Sequence, residues 1–130
     1  MSPSRLPEEL RYTATHEWIR LEGDRATIGI TDHAQSELTD IVFVDLPKVP
    51  KEVKSGDSVL VLESVKTVSD VYAPVGGSVD EVNAALKAKP GLINVDPYGE
   101  GWLYKIRLSG GTPPAGLLTA AEYRATIGES

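Results

Sequence analysis

Apolar residues in this chain recur in short runs, several with period two, and glycine, proline and aspartate break the runs into pieces of strand length. The first piece, HEWIRLEGDRATIGI, sets two stretches rich in aromatic and β-branched residues, 16–21 and 25–30, on either side of Gly23 and Asp24. It predicts a β-hairpin. In TDHAQSELTD, Asp32 stands as N-cap with Gln35 three residues on, and Ala34 and Leu38 fall on one face, so a short helix over 32–38 is predicted. The run Ile41 to Val44, closed by Pro47 and Pro50, predicts a buried strand.

Further strands are expected at 58–62 (SVLVL), 68–75 (VSDVYAPV, with Pro74 marking a sheet end or edge), 78–83 (SVDEVN) and 102–108 (WLYKIRL). Residues 109–116, SGGTPPAG, read as a linker. Beyond them Thr119 and Glu122 have capping-box spacing and Gly128 is placed to end a helix over 120–127. About seven short strands with two helices fit a compact β sandwich or barrel better than an alternating βα pattern. The whole chain, 1–130, is expected to be one domain with residues 1–11 as an N-terminal extension.

Composition agrees with that outline and removes several functions. The 130 residues are 41% hydrophobic, enough for one core, and 12 Gly with 9 Pro favour turns over long helices. With 13 Lys+Arg against 19 Asp+Glu the net charge is -6, and the basic residues are scattered, so nucleic acid is not an expected partner. No apolar run approaches the ~20 residues that span a bilayer, and the opening MSPSRLPEELRY lacks signal- or transit-peptide character, so no membrane association and a cytoplasmic location are expected. Cysteine is absent, which excludes disulfides, thiolate metal sites and a thiol nucleophile.

There is no Walker-type loop and no GxGxxG. The two histidines, His16 and His33, have no metal-site spacing; His16, on a strand beside Glu17 and Trp18, suits a structural or pocket-lining role, and His33, in a first helical turn, suits a solvated one.

One lysine stands out, in LESVKTVSDVYAPVGG. Lys66 has Gly56 ten residues before it and Gly76 ten residues after, with an apolar or β-branched run on each side, so it falls at or next to a hairpin tip. The tip SVKTV lacks the Asn, Asp or Gly of a tight turn, and departures of this kind gather at functional sites. A lysine so placed is either an ordinary surface lysine or the anchor of a tethered group, since its amine can be acylated to a neutral amide. The second alternative describes a carrier rather than an enzyme, because a tethered group visits several sites at a concentration set by its reach.

The segments YTATHEW, ATIGITDHAQSELTDIVFVDLP, ESVKTVSDVYAPVGGSVDEVN, PGLINVDPYGEGWLYKI and LLTAAEY stand in the order and spacing of the H proteins of the glycine cleavage system, and the chain resembles that family over nearly its whole length. The resemblance implies a mostly β fold, a lipoyl-domain-like barrel-sandwich hybrid of two small antiparallel sheets with a C-terminal helix. It implies lipoic acid in amide linkage on Lys66 and no catalytic residue.

It further implies three partners: a pyridoxal-phosphate glycine decarboxylase (P protein) that loads an aminomethyl group on the arm, a tetrahydrofolate-dependent aminomethyltransferase (T protein) that removes it, and dihydrolipoyl dehydrogenase (L protein) that restores the disulfide. A monomer suits a carrier that must dock in several active sites. By the same resemblance the loaded arm folds into a cleft that maps to Thr15, Glu17, Ile30 and Asp70, where Glu17 and Asp70 are otherwise solvated strand carboxylates. Glu63, three residues before the lysine, falls where a lipoate ligase or lipoyl/octanoyl transferase meets its target, and is otherwise a plain surface charge. Some relatives have histidine at Glu37, so no arm contact is carried over there. Biotinyl domains flank their lysine with methionines, whereas Lys66 has Val65 and Thr67 and the only methionine is Met1.

Overall fold

A computed structural model describes residues 5–108 and 116–128. The strands are β1 (Arg11–Tyr12), β2 (Glu17–Glu22), β3 (Arg25–Ile30), β4 (Ile41–Asp45), β5 (Lys51–Val53), β6 (Ser58–Ser64), β7 (Val68–Tyr72), β8 (Gly77–Val82) and β9 (Tyr104–Leu108). The helices are α1 (Asp32–Leu38), α2 (Ala85–Ala88), α3 (Leu92–Val95) and α4 (Ala120–Thr126). All strand pairs are antiparallel, in a six-stranded sheet ordered β1-β2-β3-β9-β8-β5 and a three-stranded sheet ordered β4-β6-β7. The expected mostly β fold of two antiparallel sheets is therefore present.

The main core fills the space between the sheets. Ile19 and Ile28 of the large sheet meet Leu60, Leu62 and Val71 of the small one, all nearly inaccessible. The other face of β2 is covered as well: Trp18, Leu10, Tyr12, Tyr98 and Tyr123 form a second cluster, closed by the N-terminal segment and α4. A strand buried on both faces loses the simple alternation of a half-exposed one, which is why Glu17, Trp18 and Ile19 are buried in succession. Helix α4 carries the expected capping box between Thr119 and Glu122, ends at Thr126, and is followed by Gly128 at φ 78°.

Several expectations are corrected. Thr31 rather than Asp32 caps α1: its hydroxyl accepts from the Ala34 N–H at 3.1 Å, while Asp32 begins the helix and its carboxylate accepts from the Gln35 side chain at 2.9 Å. Within the run 41–44, Val42 and Phe43 are half exposed because β4 is a sheet edge with a bulge between Ile41 and Phe43. The strand expected over 68–75 ends at Tyr72, since the Ala73 N–H turns away to the Asp57 carbonyl ahead of Pro74.

Strands β1 and β5 and helices α2 and α3, each four residues or shorter, have too few residues for a periodic signal. Gly56 takes φ 93° as a hairpin end requires; at the other end the demanding position is Gly77, where a Cβ would overlap the Arg107 carbonyl. The expected linker at 109–116 lies outside the described residues apart from Gly116.

Candidate functional site

Strands β6 and β7 pair up to Glu63 opposite Val68, and the Ser64 N–H donates to the Thr67 carbonyl at 2.8 Å. This closes a loop whose two central residues are Val65 and Lys66. Among the described non-glycine residues only His16 and Thr39 have positive φ, so the loop is not one of the primed turns that call for Asn or Gly. Ser64 takes their place: its hydroxyl oxygen accepts from the N–H groups of Lys66 at 3.1 Å and Thr67 at 3.0 Å. Serine at the first position of a type I turn is a recognised preference, and it is the signal that the search for Asn, Asp and Gly misses.

The tip is also tied to the body, with the Val65 N–H donating to the Asp40 carbonyl at 3.0 Å. Lys66 itself is exposed, and its Nζ donates to the Glu37 carbonyl at 3.4 Å. That carbonyl belongs to the last turn of α1, where the helix has no basic residue of its own, so the ammonium meets the negative end of the helix dipole.

A cavity of about 400 Å³ opens at the foot of the same hairpin, lined by Thr13, Thr15, Glu17, Ser55, Tyr72 and Leu117 among others. Glu17 is only 2% exposed. One carboxylate oxygen accepts from the hydroxyls of Thr13 at 2.6 Å and Thr15 at 2.5 Å, and the other accepts from the Tyr72 N–H at 3.3 Å, so the residue bridges the two sheets. Burial raises its carboxyl above the ordinary carboxylate value, and these three hydrogen bonds oppose the shift without cancelling it.

The sequence-derived cleft residues divide. Thr15 and Glu17 meet in the cavity. Ile30 lies opposite Glu17 across β2 and β3, buried in the main core, and does not line the cavity. Asp70 is exposed on β7, accepts from the Ser58 hydroxyl at 2.7 Å, and also lies outside the lining. By strand alternation it shares a face of β7 with Val68 near the tip and Tyr72 at the cavity. Glu63 is exposed on β6 between Phe43 and Val68. Thr13 belongs to the site too, and the alternation Thr13, Thr15, Glu17 carries its signal; Ser55, Tyr72 and Leu117 arrive from distant segments.

His16 precedes β2 instead of lying on it, with φ 74°, and its Nδ1 is 2.7 Å from the Tyr123 hydroxyl. His33 is half-buried rather than solvated, its ring centroid 5.1 Å from that of His16. Neither lines the cavity.

The family model described as glycine cleavage H-protein matches residues 10–130. The glycine cleavage system H protein of Rubrobacter xylanophilus is 53% identical over 124 residues, covering 95% of this chain and 96% of that protein. That of Alteromonas mediterranea is 53% identical over 127 residues, covering 97% and 98%. Among solved structures, the glycine cleavage system H protein from Mycobacterium marinum superposes with a TM-score of 0.87 at 43% identity, over 95% of this chain and 99% of that one. Matched from residue 10 to its end in sequence and over nearly its whole length in fold, the chain belongs to the glycine cleavage H-protein family.

Proposed function

We propose that this chain is the lipoyl carrier of the glycine cleavage system, with lipoic acid in amide linkage on Nζ of Lys66 and with no catalytic residue of its own. The observation that carries the reading is an exposed lysine on a braced two-residue loop, one strand away from a cavity that holds a buried carboxylate.

The site fits the group. From Val68 to Tyr72 the strand covers roughly 13 Å at ~3.3 Å per residue. A lysyl-lipoyl chain of about a dozen bonds extends roughly 15 Å at ordinary bond lengths, so an arm laid back along β7 reaches the cavity. When bound, the dithiolane supplies the disulfide that takes up the aminomethyl group of glycine at the P protein, gives it up at the T protein with tetrahydrofolate, and is regenerated by the L protein.

Everything else falls to the chain. Thr13 and Thr15 hold one oxygen of Glu17, leaving the other, with its long contact to Tyr72, to receive a protonated amine in a charge-assisted hydrogen bond. The walls of the cavity keep water from that amine. Asp70, halfway between tip and cavity on the outward side of β7, offers a second carboxylate along the path, and Ile30 backs Glu17 from the core. Glu63 faces the lipoate ligase or lipoyl/octanoyl transferase.

The test is intact mass of wild type and Lys66→Arg after expression with lipoate, followed by aminomethyl transfer in a mixture with P and T proteins. The lipoyl increment is expected on wild type alone, and transfer with it. An increment that never appears, or that persists in Lys66→Arg, ends this reading.

A further inference from the structure

Three of the four buried tyrosines use their hydroxyls. Tyr12 donates to the Pro7 carbonyl, Tyr98 donates to the Arg5 carbonyl, and Tyr123 shares hydrogen bonds with His16 and Thr31. Tyr104 on β9 is wholly buried in the main core, and its hydroxyl has no hydrogen-bond partner among the described residues. The other such atom, Nε of Arg25, belongs to a guanidinium that already meets Asp80 at 2.8 Å. Phenylalanine would fill the Tyr104 site as well and leave no polar atom unpaired, so packing does not account for the oxygen.

The strand register shows what that oxygen faces. Tyr104 stands opposite Ile28 and Glu17 stands opposite Ile30, with β3 between them. Ile28 and Ile30 are two apart on β3, so all four side chains share the inner face of the large sheet. Glu17 is the one charged group that acts on the Tyr104 hydroxyl. Burial, and then that carboxylate, drive the phenol pKa upward, so the hydroxyl keeps its proton through the range in which Glu17 titrates. Tyr104 does not line the cavity, so an arm in the cavity meets Glu17 and not Tyr104.

We propose that Tyr104 is a positioning residue for the loaded arm, whose hydroxyl donates a hydrogen bond to the Glu17 carboxylate when that carboxylate ionises to receive the amine. The inference rests on Glu17 being the group that holds the arm's amine, as proposed above. A carboxylate has about four acceptor sites. Thr13 and Thr15 take two on one oxygen, and the other oxygen has only the long contact from the Tyr72 N–H. A neutral carboxyl needs no further donor. Ionisation puts a charge in a buried place, where a charge-assisted bond is stronger than a neutral one, and to make it the phenol has only to rotate its O–H and the carboxyl to turn about its last bond. Tyr104 thereby favours the charged form of Glu17 without touching the arm.

Two readouts on wild type, Tyr104→Phe, Glu17→Gln and the double variant test this. In the apo protein, carbon-13 NMR of the Glu17 side-chain carboxyl follows its titration, and the midpoint is expected about one unit higher in Tyr104→Phe than in wild type, a tenfold weaker ionisation. In the lipoylated proteins, mixed with glycine and the P and T proteins, the one-carbon units reaching tetrahydrofolate per carbon dioxide released are expected to fall about threefold in Tyr104→Phe and to be no lower in the double variant than in Glu17→Gln. A hydroxyl that only supports the fold would move neither the titration nor this dependence on Glu17. An unchanged midpoint, wild-type coupling in Tyr104→Phe, or a loss as large in the Glu17→Gln background as in wild type overturns the inference and leaves the carrier reading in place. Full coupling in Glu17→Gln takes the amine away from Glu17, and the role of Tyr104 with it, while Lys66 remains the lipoyl site. A wild type that takes no lipoate overturns the carrier reading itself.

Discussion

The Tyr123 hydroxyl shares hydrogen bonds with Nδ1 of His16 at 2.7 Å and with the Thr31 hydroxyl at 2.8 Å, joining the C-terminal helix to the bend before β2 and to the cap of α1. Tyr123 is wholly buried and stacks on Tyr12 with centroids 5.1 Å apart. Phenylalanine would keep the stack and remove the hydroxyl, leaving two polar partners short of a hydrogen bond. Tyr123→Phe is therefore expected to lose about 1–3 kcal/mol in urea denaturation. An unchanged midpoint and slope would mean that α4 is held by its apolar contacts alone.

The same junction sets a pH dependence. Burial lowers the His16 pKa below its ordinary 6.5, the adjacent His33 lowers it further, and Glu37 opposes both. With the folded value depressed, the unfolded chain binds the proton more readily, so the stability His16 contributes is fully present above pH 6.5 and is lost as pH falls below that value through the folded pKa. His16→Asn keeps a residue that tolerates the φ of 74° and removes the titration. Its melting temperature is expected to fall less than that of wild type between about pH 7.5 and about pH 5.5. Parallel curves would place the acid sensitivity elsewhere.

Trp18 and Gly29 are direct cross-strand partners, and the indole lies over the glycine while its Nε1–H donates to the Pro97 carbonyl at 3.0 Å. A Cβ on Gly29 would come within 2.6–2.7 Å of three indole atoms. Since Trp18 is wholly buried it cannot swing aside, and Gly29→Ala is expected to cost about 1–3 kcal/mol as an overpacked core substitution. Chemical denaturation gives the value, and Trp fluorescence should shift with it.

What the sequence made legible follows physical range. The β2–β3 hairpin, the α4 capping box and the Lys66 tip are written in residues a few positions apart, and they stand where local pattern places them. The cap of α1 falls one residue away from expectation because Thr31 and Asp32 are both good caps, and only the backbone decides between them. Val42 and Phe43 look like core by composition; only the sheet order makes β4 an edge, and edges are set by pairings among distant segments. The cavity was the least legible part, because Thr13 and Thr15 meet Ser55, Tyr72 and Leu117 only through the packing of one sheet on the other. Asp70 illustrates the same limit: its place along the chain beside Lys66 is plain and it shares a face of β7 with Tyr72, but only the packing of the two sheets decides that the cavity opens at Tyr72 and stops short of Asp70.

Glu17 allows stability and function to be separated in one variant. Its folded carboxyl pKa lies above the ordinary 4.5, so the stability it contributes is fully present below pH 4.5 and is lost as pH rises through the folded value. Glu17→Gln removes that loss, and the stability of the variant relative to wild type is expected to rise with pH over this window, whatever constant offset the amide introduces. The carrier role predicts the opposite sign for activity. In its ionised form the carboxylate is the group that would hold a protonated amine, and hydrogen bonds to charged groups contribute about 1.5–3 kcal/mol. In a mixture with P and T proteins, the one-carbon units reaching tetrahydrofolate per carbon dioxide released should therefore fall several-fold in Glu17→Gln, with the remainder lost to water as formaldehyde and ammonia. A variant with the predicted pH slope but full coupling would keep Glu17 as a buried structural acid and remove it from the dock.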